Sequence, residues 1–205
     1  MKKFAVIGNP ISHSLSPSIH GIFAETLGLD IQYDAVEVEI QDFEEKLNSL
    51  FSQGYIGLNV TLPLKEKAFS VAKKHTETCS AARSANTLWK EGGVLCADST
   101  DGAGLMEDLI SKDLNVKGSN IVVLGAGGSS KAILPSLLKA EPKEVIIVNR
   151  TISKAKNLAE IYNNDKVKVS HGSLIDEVPF EIDGLINTTS AVSYTHLRAH
   201  ETINH

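Results

Sequence analysis

The chain has 205 residues, 42% of them hydrophobic, and carries a formal net charge of −5 with both signs scattered along it. This length is enough for one large domain or two small ones. The lack of a basic patch argues against a nucleic-acid partner, and no apolar run approaches the length that spans a membrane.

Cysteine and histidine usage restricts the chemistry further. Cys79 and Cys96 have no zinc-type spacing, and two such cysteines fit reduced thiols in the cytoplasm. The seven histidines show no metal-ligand spacing either. The sequence therefore predicts a cytoplasmic protein with no metal, no nucleic-acid partner and no membrane partner.

Strand and helix patterns alternate through the first half of the chain. A polar, proline-broken loop at residues 9–17 separates the first strand from a helix whose apolar stripe is Ile19, Ile22, Phe23 and Leu27. The predicted elements are strands at 3–8, 31–38, 56–60, 84–89 and 94–97, and helices at 17–27, 43–51, 65–74 and 76–82.

The second half begins with a helix that starts at residues 98–102 and runs to about residue 114. We predict that this helix bridges two lobes, with a cleft between them. Further strands are predicted at 121–124, 144–148, 167–170 and 184–187, and a helix at 152–163. Alternation of this kind throughout the chain indicates an α/β fold with parallel sheets covered by helices.

A glycine cluster in the second lobe lies between a predicted strand and a predicted helix. The apolar run 121–124 leads directly into Gly125-Ala126-Gly127-Gly128, after which a helical pattern begins. Glycines let the backbone approach a diphosphate closely, and a helix start offers free N–H groups to its oxygens. Glycines also serve ordinary turns, but a strand before the cluster and a helix and second strand after it favour nucleotide binding.

The next strand end indicates which nucleotide is bound. Asn149-Arg150-Thr151 follows the strand at 144–148, with Lys154 close behind. NAD-binding folds usually carry Asp or Glu at this point to bind the ribose hydroxyl, whereas Arg suits a 2′-phosphate. The alternative is a solvated cation at a strand end. Together with the glycine loop, Arg150 favours NADP.

Polar side chains also gather at strand ends and strand-to-helix turns of the first lobe. Because ligands of open α/β sheets lie outside the carboxyl ends of the strands, hydroxyl and amide groups there suit a small polyhydroxylated ligand. Each group alone is as easily explained as a turn or a helix cap. The groups are Ser14 and Ser16, then Asn59, Thr61 and Lys65, then Asn86 and Thr87, and finally Asp101.

Six segments, in this order and spacing, are together similar to one known family. They are Ser14-Leu15-Ser16-Pro17, Asn59-Val60-Thr61-Leu62-Pro63-Leu64-Lys65, Ala85-Asn86-Thr87, Thr100-Asp101-Gly102, Gly125-Ala126-Gly127-Gly128 and Asn149-Arg150-Thr151. Over residues 1 to about 190 the chain resembles the shikimate dehydrogenase family. The resemblance implies reversible, NADP-dependent reduction of 3-dehydroshikimate to shikimate, in the pathway to chorismate and the aromatic amino acids.

The resemblance also implies an organisation into two lobes. Residues 1–100 would form an α/β substrate-binding domain, and residues 101–190 an incomplete, Rossmann-like NADP-binding domain. Residues 191–205 do not resemble the family and look like a translated sequencing adaptor, so we expect an artefactual, poorly packed tail; a divergent natural terminus is the alternative. A homodimer is left open as the assembly.

Site residues follow from the resemblance position by position. Lys65 and Asp101 would be the catalytic pair, and Ser14 and Ser16 would bind the substrate carboxylate. The ring hydroxyls would be held by Asn59, Thr61, Asn86 and Asp101. The cofactor would be bound by Glu77, by the loop Gly125, Ala126, Gly127, Gly128, Ser129 and Ser130, and by Asn149, Arg150, Thr151 and Lys154.

Three other functions stay open at this point. A quinate/shikimate dehydrogenase that uses NAD is the nearest, although Arg150 argues against it. A nucleotide-binding module without activity would need no Lys65–Asp101 pair. An inactive fragment is the third, because the chain with its tail would lack parts of the family's second lobe and the helices that return to the first; we therefore expect poor activity and a tendency to aggregate.

Overall fold

The computed structural model describes residues 1–171 and 181–189. Within those ranges a six-stranded sheet is followed along the chain by a four-stranded one. The first sheet and its helices consist of β1 (Lys2–Gly8), α1 (Ser16–Leu27), β2 (Ile31–Glu37), α2 (Phe43–Ser52), β3 (Tyr55–Val60), α3 (Lys65–Val71), β4 (Lys74–His75), α4 (Glu77–Ala82), β5 (Thr87–Glu91) and β6 (Val94–Asp98). We call this part the first lobe.

The second lobe follows without a break. It consists of α5 (Asp101–Ser111), β7 (Asn120–Leu124), α6 (Gly128–Lys139), β8 (Glu144–Asn149), α7 (Ile152–Tyr162), β9 (Val167–His171) and β10 (Gly184–Asn187). Its strands lie in the order β10-β7-β8-β9 and are all parallel. The predicted tail at 191–205 lies outside the described residues.

The first sheet has the order β2-β1-β3-β5-β6-β4 and is not parallel throughout, contrary to the sequence prediction. β5 runs antiparallel to both β3 and β6. Gly92 and Gly93, with φ of 56° and 80°, make the tight turn that sends β6 straight back along β5. A two-residue turn leaves no room for the crossover helix that a parallel pair requires.

The region after α3 also differs from the prediction, which continued that helix to residue 74. The helix ends at Val71, and β4 pairs in parallel with β6 through Lys74 and His75. The backbone N–H of Lys73 already bonds to the carbonyl of Leu95. Pairing with a distant strand therefore replaces the last helical turn, a tertiary effect that local periodicity does not report.

Each lobe has its own hydrophobic core. In the first, α2 buries Phe43, Leu47 and Leu50, spaced three and four residues apart, against β3 and its neighbours. In the second, the faces of β7 and β8 that carry Val123 and Ile147 pack with α6 and α7. Both strands are buried on their other face too, which is typical of a parallel sheet.

The apolar stripe predicted on α1 is exposed. Ala24 is the buried residue of this helix, while Ile22 is 61% and Phe23 56% accessible. The side of α1 that meets the sheet is therefore narrow. Nothing among the described residues covers the stripe.

The helix α5 joins the lobes and begins three residues after β6 ends. A Cβ at Gly102 would lie 2.4 Å from Ser136 Oγ and 2.9 Å from the carbonyl oxygen of Ala132. Only glycine therefore lets the first turn of α5 approach α6 so closely. This contact fixes Asp101, the first residue of α5, next to the second lobe. No described helix has the length and apolarity that crossing a membrane requires.

Candidate active site

A cavity of about 880 Å³ opens where β7 and β8 end, facing the start of α3. This volume is in the range of about 300–1,000 Å³ that is usual for small-molecule and cofactor sites. Its position outside the carboxyl ends of parallel strands is the one expected for a nucleotide. The lining residues are Leu62, Pro63, Lys65, Glu66, Leu124, Gly125, Ala126, Gly127, Gly128, Ser129, Val148, Asn149, Arg150, Thr151, Lys154, His171, Thr188 and Thr189.

The glycine loop forms one wall of this cavity. Gly125 has φ of 109°, and a Cβ there would lie 2.6 Å from Thr188 Oγ1, so conformation and space both require glycine. A Cβ at Gly127 would meet no described atom within 4 Å, which leaves room for a ligand against the backbone. The first N–H groups of α6, from Gly128 onward, have no acceptor within their own helix. The loop thus fits a diphosphate.

Basic residues form the far end of the cavity. Arg150, Thr151 and Lys154 follow β8 and line it together with His171. His171 is the register partner of Asn149 at the end of β9. Sequence reasoning did not include His171, although the rule that ligands lie at strand ends applies to β9 as it does to β8. This end of the cavity suits a phosphate.

The predicted catalytic pair meets across the two lobes. Lys65 Nζ, at the start of α3, lies 2.7 Å from Asp101 Oδ2, and the two side chains are 12% and 25% exposed. Lys65 Nζ also lies 3.4 Å from Ser129 Oγ in the glycine loop. The ammonium is thus held at the edge of the nucleotide cavity. An amine in this position can give a proton to, or take one from, a bound ligand.

Asn86 connects Asp101 to the first lobe. Its side-chain amide donates to Asp101 Oδ1 over 2.9 Å and to Thr100 Oγ1 over 2.8 Å. Its side-chain oxygen accepts from Thr87 Oγ1 over 2.9 Å. Asp101 therefore has one carboxylate oxygen on Lys65 and the other on Asn86, which fixes its orientation.

The remaining predicted substrate residues do not line the cavity. Ser14 Oγ accepts from the backbone N–H of Ser16 over 3.3 Å. Asn59 Oδ1 accepts a hydrogen bond of 2.6 Å from the hydroxyl of Tyr33, a residue that sequence reasoning missed. Thr61 begins the turn into α3, where its carbonyl accepts from the N–H of Leu64 over 2.9 Å.

Two predicted cofactor residues are not brought into the cavity. Glu77 begins α4 and is exposed, and the cavity's lining does not include it. Ser130 is fully buried, and its Oγ lies 2.6 Å from Thr188 Oγ1. The Ser130 side chain therefore ties the loop to the end of β10, which leaves only its backbone N–H for a ligand.

One charged residue of the cavity wall was not anticipated from the sequence. Glu66 follows Lys65 on α3, and its carboxylate lies 2.6 Å from Lys131 Nζ on α6. This ion pair spans the lobes and neutralises a carboxylate next to the proposed diphosphate site. No cluster of three or more potential metal ligands occurs within residues 1–171 and 181–189.

A glycine loop at a helix start, next to a lysine and an aspartate that pair across the two lobes, defines the class of dinucleotide-dependent α/β enzymes. A family model described as the shikimate dehydrogenase substrate binding domain matches residues 6–88. Another, described as shikimate / quinate 5-dehydrogenase, matches residues 105–202 and so reaches into the segment predicted to be unrelated. The chain belongs to the shikimate dehydrogenase family.

Individual relatives agree with this assignment. The shikimate dehydrogenase (NADP(+)) of Legionella pneumophila strain Corby is 43% identical over 191 residues, which cover 93% of this chain and 70% of the relative. The crystal structure of shikimate 5-dehydrogenase from Thermus thermophilus in complex with NADP(H) and shikimate is 32% identical, with a TM-score of 0.78, and covers 93% and 69%. The Listeria monocytogenes enzyme in complex with shikimate and NAD is 28% identical, with a TM-score of 0.78, and covers 93% and 69%.

Proposed function

We propose that the protein catalyses the reversible, NADP-dependent reduction of 3-dehydroshikimate to shikimate, a step toward chorismate and the aromatic amino acids. The observation that carries the proposal is the pairing of Lys65 Nζ with Asp101 Oδ2 at 2.7 Å, at the edge of the glycine-loop cavity. A proton-transfer group next to a dinucleotide site is what carbonyl reduction requires.

Lys65 and Asp101 have different roles in this reaction. NADPH, when bound, supplies the hydride that reduces the ketone carbon. The Lys65 ammonium stabilises the negative charge that develops on the carbonyl oxygen and donates the proton that completes the alcohol. In shikimate oxidation the neutral amine takes that proton back. Asp101 holds the amine in place and is itself held by Asn86.

The substrate would lie on the first-lobe side of this pair. We assign its carboxylate to Ser14 and Ser16, and its ring hydroxyls to Asn59, Thr61, Asn86 and Asp101. The hydrogen-bond network that joins Asn59 and Asn86 to Asp101 supports this assignment. A polyhydroxylated ring needs several donors and acceptors at fixed positions, and the network supplies them.

The cofactor would lie along the cavity. We assign its diphosphate to residues 125–130 and its adenosine phosphate to Asn149, Arg150, Thr151 and Lys154. Arg150 and Lys154 favour a 2′-phosphate. The Listeria relative solved with NAD keeps the other nucleotide as a candidate, and the description of the second family model keeps quinate as a candidate substrate. We assign Glu77 a place near the cofactor only because the family resemblance implies it.

Three further proposals concern the domain boundary, the cellular location and the assembly. The boundary between substrate and cofactor domains is placed at residue 100, just before α5 begins. A cytoplasmic location is supported by the buried, free thiols of Cys79 and Cys96. A homodimer is the proposed assembly, which light scattering on the purified chain tests.

The experiment is a steady-state assay of the purified chain with shikimate or quinate, each with NADP or NAD. We expect the highest kcat/KM with shikimate and NADP. Arg150→Ala should reduce kcat/KM for NADP by about 10-fold or more, the loss of a charge-assisted hydrogen bond, and leave that for NAD nearly unchanged. The control is Lys156→Ala, because Lys156 is an exposed residue of α7 that does not line the cavity. Equal use of both nucleotides by the unmutated chain would contradict the NADP assignment.

A further inference from the structure

Tyr33 lies where two parts of the proposed substrate site meet. It belongs to β2, and its hydroxyl donates a 2.6 Å hydrogen bond to Asn59 Oδ1 on β3, two strands away in the sheet order. Ser16 lies close enough to the same hydroxyl that its side chain acts to lower the pKa of Tyr33, against the effect of burial. Tyr33 thus joins the group proposed for the carboxylate to a group proposed for a ring hydroxyl.

The hydrogen bond from Tyr33 decides which end of the Asn59 amide is available. With its oxygen occupied, Asn59 presents its NH₂ group, whose contacts to the carbonyl of Asn86 and to Thr87 Oγ1 are both long, at 3.4 Å. Such long contacts are weak. The amide is therefore poised to donate to a hydroxyl of the substrate at little cost.

The orientation of Asn59 is linked to the catalytic pair. Thr87 Oγ1, next to the Asn59 amide, donates over 2.9 Å to Asn86 Oδ1. Asn86 in turn donates over 2.9 Å to Asp101, the partner of Lys65. A continuous chain of side chains thus runs from the Tyr33 hydroxyl to the reacting end of the site.

The Tyr33 ring is held independently of its hydroxyl. The ring of His20 stacks on it with 4.0 Å between centroids, and His20 Nδ1 lies 2.9 Å from the carbonyl oxygen of Ser16. Burial raises the pKa of Tyr33 to about 12, so its hydroxyl keeps its proton at neutral pH. Removal of the hydroxyl alone should therefore leave the ring in place.

We propose that Tyr33 is a positioning residue for substrate binding, acting by fixing the Asn59 amide with its NH₂ group toward the substrate. This inference rests on the proposed function. The inference goes beyond that function because it assigns a role to a residue that does not itself contact the reacting atoms.

The test is Tyr33→Phe, compared with Tyr55→Phe. Tyr55 is the matched control because its hydroxyl donates to Asp34 in the same lobe, outside the network. We expect Tyr33→Phe to raise both the KM for shikimate and its calorimetric Kd about 3- to 10-fold, as for the loss of one hydrogen bond. The KM for NADP should not change, and neither constant should change in Tyr55→Phe.

A double-mutant cycle separates positioning from a general structural effect. In an Asn59→Ala background, Tyr33→Phe should raise the KM and Kd for shikimate no further, because Tyr33 acts through Asn59. An equal loss in both backgrounds, or no loss in either, would overturn the inference alone. An unmutated chain that neither binds nor oxidises shikimate would overturn the proposed function, and this inference with it.

Discussion

Lys65 and Asp101 meet because each is the first residue of a helix that starts directly after a strand-end turn. Their helices belong to different lobes, and the close packing of Gly102 on α6 sets the distance between them. The ammonium is nearly buried but has a carboxylate at 2.7 Å and a hydroxyl at 3.4 Å. An isolated ammonium this far from solvent would destabilise the fold. The carboxylate and the hydroxyl offset that cost and hold Lys65 Nζ in one position.

The first prediction concerns that ammonium. Lys65→Ala should lower kcat by about 10²–10⁴-fold, the usual contribution of a general acid, with a much smaller change in the KM for shikimate. Lys67→Ala is the control, because Lys67 lies on the same helix and pairs with Glu44 at the surface. That variant should keep kcat within about twofold, since exposed pairs contribute little. A Lys65→Ala enzyme with normal kcat and raised KM would make Lys65 a binding residue only.

Asp98, just before the junction of the lobes, gives the second prediction. Burial acts to raise its pKa, but donation from the Thr76 and Thr78 hydroxyls and from the backbone N–H of Ser99 outweighs burial, so the pKa is lowered. A carboxyl with a lowered folded-state pKa adds stability above its unfolded pKa of about 3.9, and that stability disappears as the pH falls through the folded-state pKa.

Asp98→Asn should therefore reduce the free energy of unfolding at pH 7 by about 1.5 kcal/mol, the lower end for hydrogen bonds to a charged group. The difference from the unmutated chain should shrink as the pH falls below about 4. Urea unfolding at pH 7, 5 and 3 measures it. A difference that is independent of pH would show that the lost bonds do not depend on the charge of Asp98.

At the scale of elements, α5 offers two glycines with opposite surroundings. Gly102 contacts α6 closely, whereas a Cβ at Gly104, two residues later, would have no described atom within 4 Å. We predict that Gly102→Ala lowers the free energy of unfolding by about 1–3 kcal/mol through overpacking. Gly104→Ala should be neutral or stabilising by up to about 1 kcal/mol, because alanine is the better helix former. Thermal unfolding of both variants tests this, and equal effects would contradict the packing argument.

The elements also show what the sequence can predict. Strong apolar runs and the glycine cluster indicated β7, the loop and the start of α6 almost to the residue, because these depend on local pattern and backbone sterics. The short β4 and the antiparallel pairing of β5 with β3 depend on contacts with distant strands, which periodicity does not report. The apolar stripe of α1 was identified from its spacing, but periodicity shows an apolar face and not what covers it.

The site was predictable to a similar degree. Lys65, Asp101 and the residues after β8 lie at strand ends and helix starts, where open α/β sheets bind ligands. Tyr33 lies within β2 and Glu66 within the first turn of α3, so neither position signals a role. Their contacts with Asn59 and Lys131 arise only when sheet order and lobe packing bring distant segments together.

At the scale of the whole molecule, a few polar contacts join the lobes next to the cofactor cavity. The buried Ser84 donates to the carbonyl of Gly128 over 2.8 Å. The hydroxyl of Tyr162 on α7 lies 2.8 Å from the carbonyl oxygen of Lys131 and 3.3 Å from that of Ala82 in the first lobe. Because each lobe has its own core, these contacts should govern whether the lobes unfold together.

The last prediction uses Trp89 on β5, the single tryptophan of the sequence. Its fluorescence reports the first lobe, whereas far-ultraviolet circular dichroism reports both. In urea the two signals should change together for the unmutated chain, as for one cooperative unit. Combining Ser84→Ala with Tyr162→Phe should separate their midpoints. The control combines Ser70→Ala with Tyr55→Phe, which removes the same two hydroxyl types from contacts within the first lobe.

NADP should partly reverse this separation. Its cavity is lined by Lys65 and Glu66 from the first lobe and by the glycine loop from the second, so a ligand bound there contacts both. NADP that binds only when the two lobes are packed together stabilises that arrangement by mass action. The gain is about 2.7 kcal/mol when the NADP concentration is a hundred times Kd. The midpoints of the double variant should therefore converge as NADP is added. Midpoints that coincide in the double variant without NADP, or that differ already in the unmutated chain, would show that these contacts do not couple the lobes.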